Sequence, residues 1–233
     1  MAVDGMVLVH GGMHGGWCWE DVIPLLDTPG VAVDLPGRGT RPLDGRPVTL
    51  ARCVDAVIED ADAAGFGRFV LVGHSMGGLT ITETANRFPE RVAALVYVAA
   101  LAPPPGCTVF QLYFQDDAPP IDDLTAVQPV MAREQAWLQF AADLDEVAFD
   151  RMYARCVPEP IGLFAEGVTG YGSGVPATYI RCTRDGAVPA ELTDMMLTHL
   201  APGRVIELDA DHDVMLSNPS GLAAILDQIA RDA

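Results

Sequence analysis

The chain has 233 residues, half of them hydrophobic and a fifth charged, which suits one large domain with a sizeable core and excludes a mainly disordered chain. Fourteen basic residues stand against 32 acidic ones, a net charge of −18, so phosphate backbones and anionic lipid surfaces repel it and neither nucleic acid nor membrane is an expected partner. All fourteen basic residues are arginine, and the lack of lysine excludes Schiff-base chemistry, a pyridoxal phosphate anchor, P-loop phosphate binding and lysine-assisted serine catalysis. No apolar run approaches the roughly 20 residues of a membrane helix, and the N-terminus has no basic, cleavable leader pattern. A soluble, unprocessed, cytoplasmic protein is expected, and the arginine- and alanine-rich usage suggests a GC-rich bacterial coding bias. Cys18, Cys53, Cys107, Cys156 and Cys182 are odd in number and form no Cys-x-x-Cys pair, so neither a disulfide framework nor a zinc site is expected.

In chain order, six short apolar runs bounded by Gly, Pro or Asp read as buried parallel strands: 6–10, 31–37, 69–73, 92–100, 177–183 and 204–209. Helical patterns lie between them. Residues 49–65 start at Thr49 and put Leu50, Val54, Val57, Ile58 and Ala61 on one face. Residues 76–88 follow a strand directly and stop before Pro89. Residues 189–200 open with Pro189, and 217–231 open with Ser217 as the expected N-cap. Strands alternating with helices of this length predict an α/β fold, a mostly parallel six-stranded sheet with helices on both faces. The rhythm breaks between the fourth and fifth strands, where Phe110, Phe114, Trp137, Phe140, Phe149 and Phe164 follow mainly helical spacing. This stretch reads as an inserted cap over 103–175, on a core domain formed by 1–102 and 176–233. Insertions at the C-terminal ends of strands are where substrate sites form.

The strongest chemical signal is Gly73-His74-Ser75-Met76-Gly77, a Gly-x-Ser-x-Gly pattern between an apolar strand and a helix. That context is what a nucleophile elbow requires: glycines allow the tight turn, Ser75 projects above the sheet, and the Met76 N–H sits at a helix start. A serine hydroxyl needs a base. Loops at the C-terminal ends of parallel strands converge on one crevice, so His212, after the last strand, can reach Ser75. His74 lies inside the elbow, His199 ends a helix facing solvent, and His10 and His14 follow the first strand. The acid is expected after the preceding strand, at Asp185; Asp209, Asp211 and Asp213 are its rivals in sequence, too close to His212 to reach the far ring nitrogen well. His10-Gly11-Gly12-Met13 can turn a second oxyanion donor, the Gly12 N–H, toward the same point. Two patterns carry no claim. Gly11 and Gly12 break any helix that would present His10 and His14 to a metal, and Gly37-Arg38-Gly39 lacks the third glycine of a dinucleotide site.

Together VLVHGGMHGGWCWEDV, FVLVGHSMGG, YIRCTRDGAVP and DHDVMLSNP resemble the α/β-hydrolase superfamily, and within it the branch of methyl-ester esterases and hydroxynitrile lyases. The resemblance covers the sheet in order, about two-thirds of the chain; the cap matches in position only. It implies Ser75, Asp185 and His212 as the triad, Gly12 and Met76 as oxyanion donors, and Trp17 and Trp19 as packing residues. It implies no metal and no organic cofactor. Two departures matter. The lyase members carry Thr after the first-strand His and Lys after the catalytic His, where this chain has Gly11 and Asp213. An anion at Asp213 opposes a cyanide leaving group. Asp213 is left either facing solvent, contacting a cationic or hydroxylated substrate, or acting as a base in an elimination. His14, Trp137 and Asp213 are the candidate pocket residues.

The expected function is hydrolysis of an ester, or a thioester or lactone, of a small, mostly apolar molecule through an acyl-enzyme. The alternatives are a lyase on the same scaffold, such as one eliminating a carboxylate, or a receptor-like binding protein. A small molecule is the expected partner, and a homodimer is left open.

Overall fold

The computed structural model describes residues 3–115, 121–172 and 174–233. Its centre is a six-stranded sheet: β1 (Gly5–Val9), β2 (Gly30–Val33), β3 (Phe69–His74), β4 (Val92–Val98), β7 (Ala177–Cys182) and β8 (Arg204–Leu208), in the order β2-β1-β3-β4-β7-β8. Every neighbouring pair is parallel. The inner strands β1, β3 and β4 are buried at every position because both faces are covered, and β7 is partly so. Alternate residues serve opposite faces. Val7, Val9, Leu71, Leu95 and Tyr97 pack against α1 (Leu50–Ala63), α2 (Gly77–Arg87) and α6 (Ala190–Leu200). Met6, Leu8, Val70, Val72 and Val96 pack against Trp19, α7 (Val214–Ser217) and α8 (Pro219–Asp232).

The expected helices all form. Thr49 caps α1 by accepting the Arg52 N–H. The last one differs at its start. Ser217 closes the short α7, and α8 is capped by Asn218, whose side chain accepts the Gly221 N–H (3.1 Å). Asn218 precedes Pro219 and lies outside the helical region at φ −140°, ψ 58°, as an N-cap residue does. Among the described residues no helix is long and apolar enough to cross a membrane.

Topology decides where a site can form. The chain leaves β1 for β2 on one side, then returns to place β3 on the other, so the loops after β1 and β3 part at a crevice on the C-terminal edge. Between β4 and β7 lie α3 (Val109–Phe114), α4 (Arg133–Phe140), α5 (Glu146–Tyr153) and an antiparallel pair, β5 (Val127–Gln128) with β6 (Glu159–Pro160). These elements stand over that crevice. Their own small core includes Ala136, Phe140, Phe149 and Met152, with Met13 from the loop after β1.

Candidate active site

Ser75 occupies the turn between β3 and α2 at φ +51°. For a residue with a Cβ this conformation costs on the order of 1–3 kcal/mol, and the surroundings enforce it. Its N–H donates to the Val98 carbonyl (3.2 Å), and its carbonyl accepts the Leu101 N–H (2.9 Å). The turn also passes close under the loop after β1. A Cβ on Gly77 would lie 2.7 Å from the His10 carbonyl oxygen, and one on Gly11 would lie 2.7 Å from Ser75 Cβ. Only glycine allows either approach.

His212 follows β8 and Asp185 follows β7. His212 Nδ1 donates to Asp185 Oδ2 (2.9 Å), and the other carboxylate oxygen accepts the N–H groups of Ala187 and Val188 (2.8 Å each). The carboxylate is thus oriented by its own loop before it meets the ring. Burial pulls the His212 pKa down, but the Asp185 charge and hydrogen bond outweigh it and leave the ring above an ordinary imidazole. His74 is also buried. Burial and the neighbouring His212 hold it well below the usual value, so it is neutral, and its Nε2–H donates to the His212 carbonyl (3.1 Å). The elbow therefore braces the backbone of the histidine it faces. His199 is exposed on α6.

Asp213 stands where the sequence reading did not put it. It is fully buried, does not line the cavity beside Ser75, and accepts from His14 Nε2 (3.0 Å). The reason is local: the turn into α7 points its side chain inward, toward the loop after β1. His14 Nδ1 lies 2.7 Å from the Gly12 carbonyl. Both ring nitrogens thus face acceptors, which only the doubly protonated ring can satisfy. Burial lowers the His14 pKa, but Asp213 and the Gly12 carbonyl together leave it raised; burial raises Asp213, but His14, with His74 and His212, leaves it below its ordinary value. The result is a buried imidazolium–carboxylate pair that holds the Gly12 carbonyl.

The same loop is held from two other sides. Arg38 Nε donates to the His14 carbonyl (2.8 Å), and Glu159 Oε2 accepts the Met13 N–H (2.5 Å). Nothing in the sequence flags Glu159, because its partners are 121 and 146 residues away. Among the described residues the N–H groups of Gly12 and Met76 have no acceptor, and Ser75 Oγ and His212 Nε2 have no partner.

A cavity of about 670 Å³ opens between the sheet edge and the insertion. Gly12, His14, Ser75, Met76 and His212 line it from the core, and Phe110, Phe114, Phe140 and Phe164 from the insertion. Gln128, Gln139, Tyr113 and Glu159 add polar groups. Asp185 stays behind His212. Trp137, expected on the wall, is not among the lining residues: on α4 it packs edge-on against Phe149 of α5 (4.7 Å), while Phe140, three residues on, faces the cavity. Among the described residues, His74, His212 and Asp213 have metal-ligand spacing, with ligand atoms within 4.8 Å of one another. All three side chains already hydrogen-bond within the protein, to the His212 carbonyl, Asp185 and His14 respectively.

The family model described as "Alpha/beta hydrolase family" matches residues 6–225. Methylesterase 7 of Arabidopsis thaliana is 32% identical, over 96% of this chain and 95% of that protein. Norfluorocurarine synthase 1 of Strychnos nux-vomica is 30% identical, over 96% and 94%. Among solved structures, a pyrethroid hydrolase from Sphingobium faniae superposes with a TM-score of 0.79 at 26% identity, covering 97% of each chain. The matched span holds all six strands, the elbow and both loops that carry Asp185 and His212, and the chain belongs to the alpha/beta hydrolase family.

Proposed function

We propose that the protein is a serine carboxylic-ester hydrolase. His212 Nε2 takes the proton of Ser75 Oγ as that oxygen attacks the ester carbonyl carbon. Asp185 fixes the ring and stabilises the imidazolium. The carbonyl oxygen becomes an oxyanion and accepts the N–H groups of Gly12 and Met76, the latter at the start of α2 where the helix dipole favours negative charge. Collapse of the intermediate expels the alcohol, which leaves with the proton from His212 and leaves Ser75 acylated. Water deprotonated by His212 then releases the acid by the same steps. The insertion acts as the cap that shapes the substrate pocket.

The observation that carries this reading is convergence. A strained Ser75, an Asp185-bound His212 and two unengaged N–H groups open into one cavity. Its phenylalanine wall favours a neutral, largely apolar ester. The methylesterase relative supports a small alcohol part, and the resemblance to methyl-ester esterases points the same way. The lyase alternative drew on Asp213 as an extra base; that carboxylate is bound to His14 and does not line the cavity.

A panel of aryl esters of rising acyl length, with Ser75→Ala as blank, tests the reading. Turnover that disappears in the variant is expected, and the length profile sizes the pocket. Equal release by both proteins would refute it.

A further inference from the structure

The loop that carries Gly12 is completed by the insertion as well as by the core. Met13, at φ +62°, donates its N–H to Glu159 Oε2 (2.5 Å), and its carbonyl accepts the Val157 N–H (2.9 Å). Both partners come from the segment that ends in β6. Arg38, in the turn after β2, donates to the same Glu159 oxygen (2.5 Å) and to the His14 carbonyl (2.8 Å). Arg38 is 3% exposed and Glu159 1%. An ion pair this deep gives little net stability, since desolvation offsets most of the attraction. What it supplies here is geometry. Glu159 fixes the Gly12–Met13 peptide, Val157 the Met13–His14 peptide and Arg38 the His14–Gly15 peptide, while Gly12, whose N–H has no acceptor among the described residues, lines the cavity. A Cβ on Gly12 would lie 3.3 Å from Glu159 Oε2, so the carboxylate sits directly against the loop.

We infer that Glu159, oriented by Arg38, is a positioning residue that sets the oxyanion donor of Gly12, so that the insertion completes the catalytic centre of the core. The inference rests on the esterase reading above. Glu159 also borders the cavity, so a direct substrate contact is the competing role, and steady-state kinetics separate the two. Loss of a substrate contact made equally in ground and transition states raises KM, whereas a misplaced oxyanion donor lowers kcat.

Removing Glu159 alone would strand the Arg38 cation, so the comparison is made with both charges gone. Arg38→Met/Glu159→Gln keeps an acceptor for the Met13 N–H; Arg38→Met/Glu159→Leu removes it. The full-length variants are assayed on the best ester of the panel, with unfolding temperatures measured alongside. The glutamine variant is expected to show a kcat at least ~10-fold above the leucine variant, within the roughly 10²–10³-fold attached to one oxyanion donor, at similar KM and unfolding temperature. Equal kcat, or a difference carried by KM, would overturn the inference. If the leucine variant does not fold, Arg38→Met/Glu159→Gln against the wild type decides: with Arg38 no longer orienting the acceptor, kcat should fall at unchanged KM, and an unchanged kcat overturns the inference. A wild type active on esters with equal kcat in the two variants removes the positioning role alone. A wild type silent on every ester removes the esterase reading and this inference with it.

Discussion

Replacing Asp213 by Asn tests the buried pair with His14. The substitution keeps shape and an acceptor oxygen but removes the anion. Asp213 and His14 are 0% and 1% exposed, and their atoms lie 3.0 Å apart, so solvent does not screen the loss. Breaking a buried pair by removing one partner costs about 3–5 kcal/mol. For a domain of this size each kcal/mol lowers the unfolding temperature by roughly 2–4 °C, so a fall of about 6–20 °C is expected. The pH dependence has a definite sign. Asp213 is depressed in the fold, so its share is present above about pH 4, its ordinary value, and is lost as pH falls through the depressed one. His14 is raised, so its share is complete below about pH 6.5 and fades as pH rises through the raised value. The variant should therefore lose most between about pH 4 and 6.5, and less in alkali. Thermal unfolding followed by circular dichroism across pH measures this, with His14→Gln/Asp213→Asn as the companion. The double variant should lose clearly less than the sum of the singles. A fall of under 2 °C, a pH-independent loss or simple additivity would refute the ion pair.

Two further outcomes follow from the same geometry. Asp185→Asn should lower kcat by roughly 10⁴-fold, as loss of the orienting acid does in a serine triad. It should also move the acid limb of kcat/KM to lower pH, because Asp185 contributes most to holding His212 above its ordinary value; a limb that stays in place in the pH–rate profile would contradict that assignment. Gly11→Ala would put a methyl group 2.7 Å from Ser75 Cβ and 2.9 Å from His74 Nδ1. Overpacking of this kind costs about 1–3 kcal/mol, and a displacement of Ser75 near 1 Å would cost activity on the order of 10²-fold; stability and kcat/KM measured together check both.

The parts of the protein that local pattern specifies were legible in the sequence. Six apolar runs gave six strands, each within one to four residues of its ends; β1, β3 and β4, buried on both faces, have no polar alternation to blur them, whereas the run expected to be buried at 204–209 is the largely exposed edge strand β8. The elbow was legible because the glycines around Ser75 and the strand–helix context are local. His212 and Asp185 were reachable through strand order. The supporting shell was not. Asp213 was misjudged because its partner His14 lies 199 residues away, and the direction of one side chain at a helix start has no sequence signature. Arg38 and Glu159 stand 121 residues apart and belong to no motif. Trp137 was taken for a pocket residue because helical spacing shows that aromatics share a face but not which neighbour that face meets.

The central claim, an acyl-enzyme on Ser75, is tested most directly by mass spectrometry. With no lysine in the chain, trypsin cuts only at arginine, and peptide 69–87 carries Ser75 as its sole serine. Protein quenched in acid during turnover of a slowly released aryl ester should gain the mass of one acyl group, located on that peptide and absent in Ser75→Ala. Turnover with no adduct, or an adduct on any other peptide, would contradict the account.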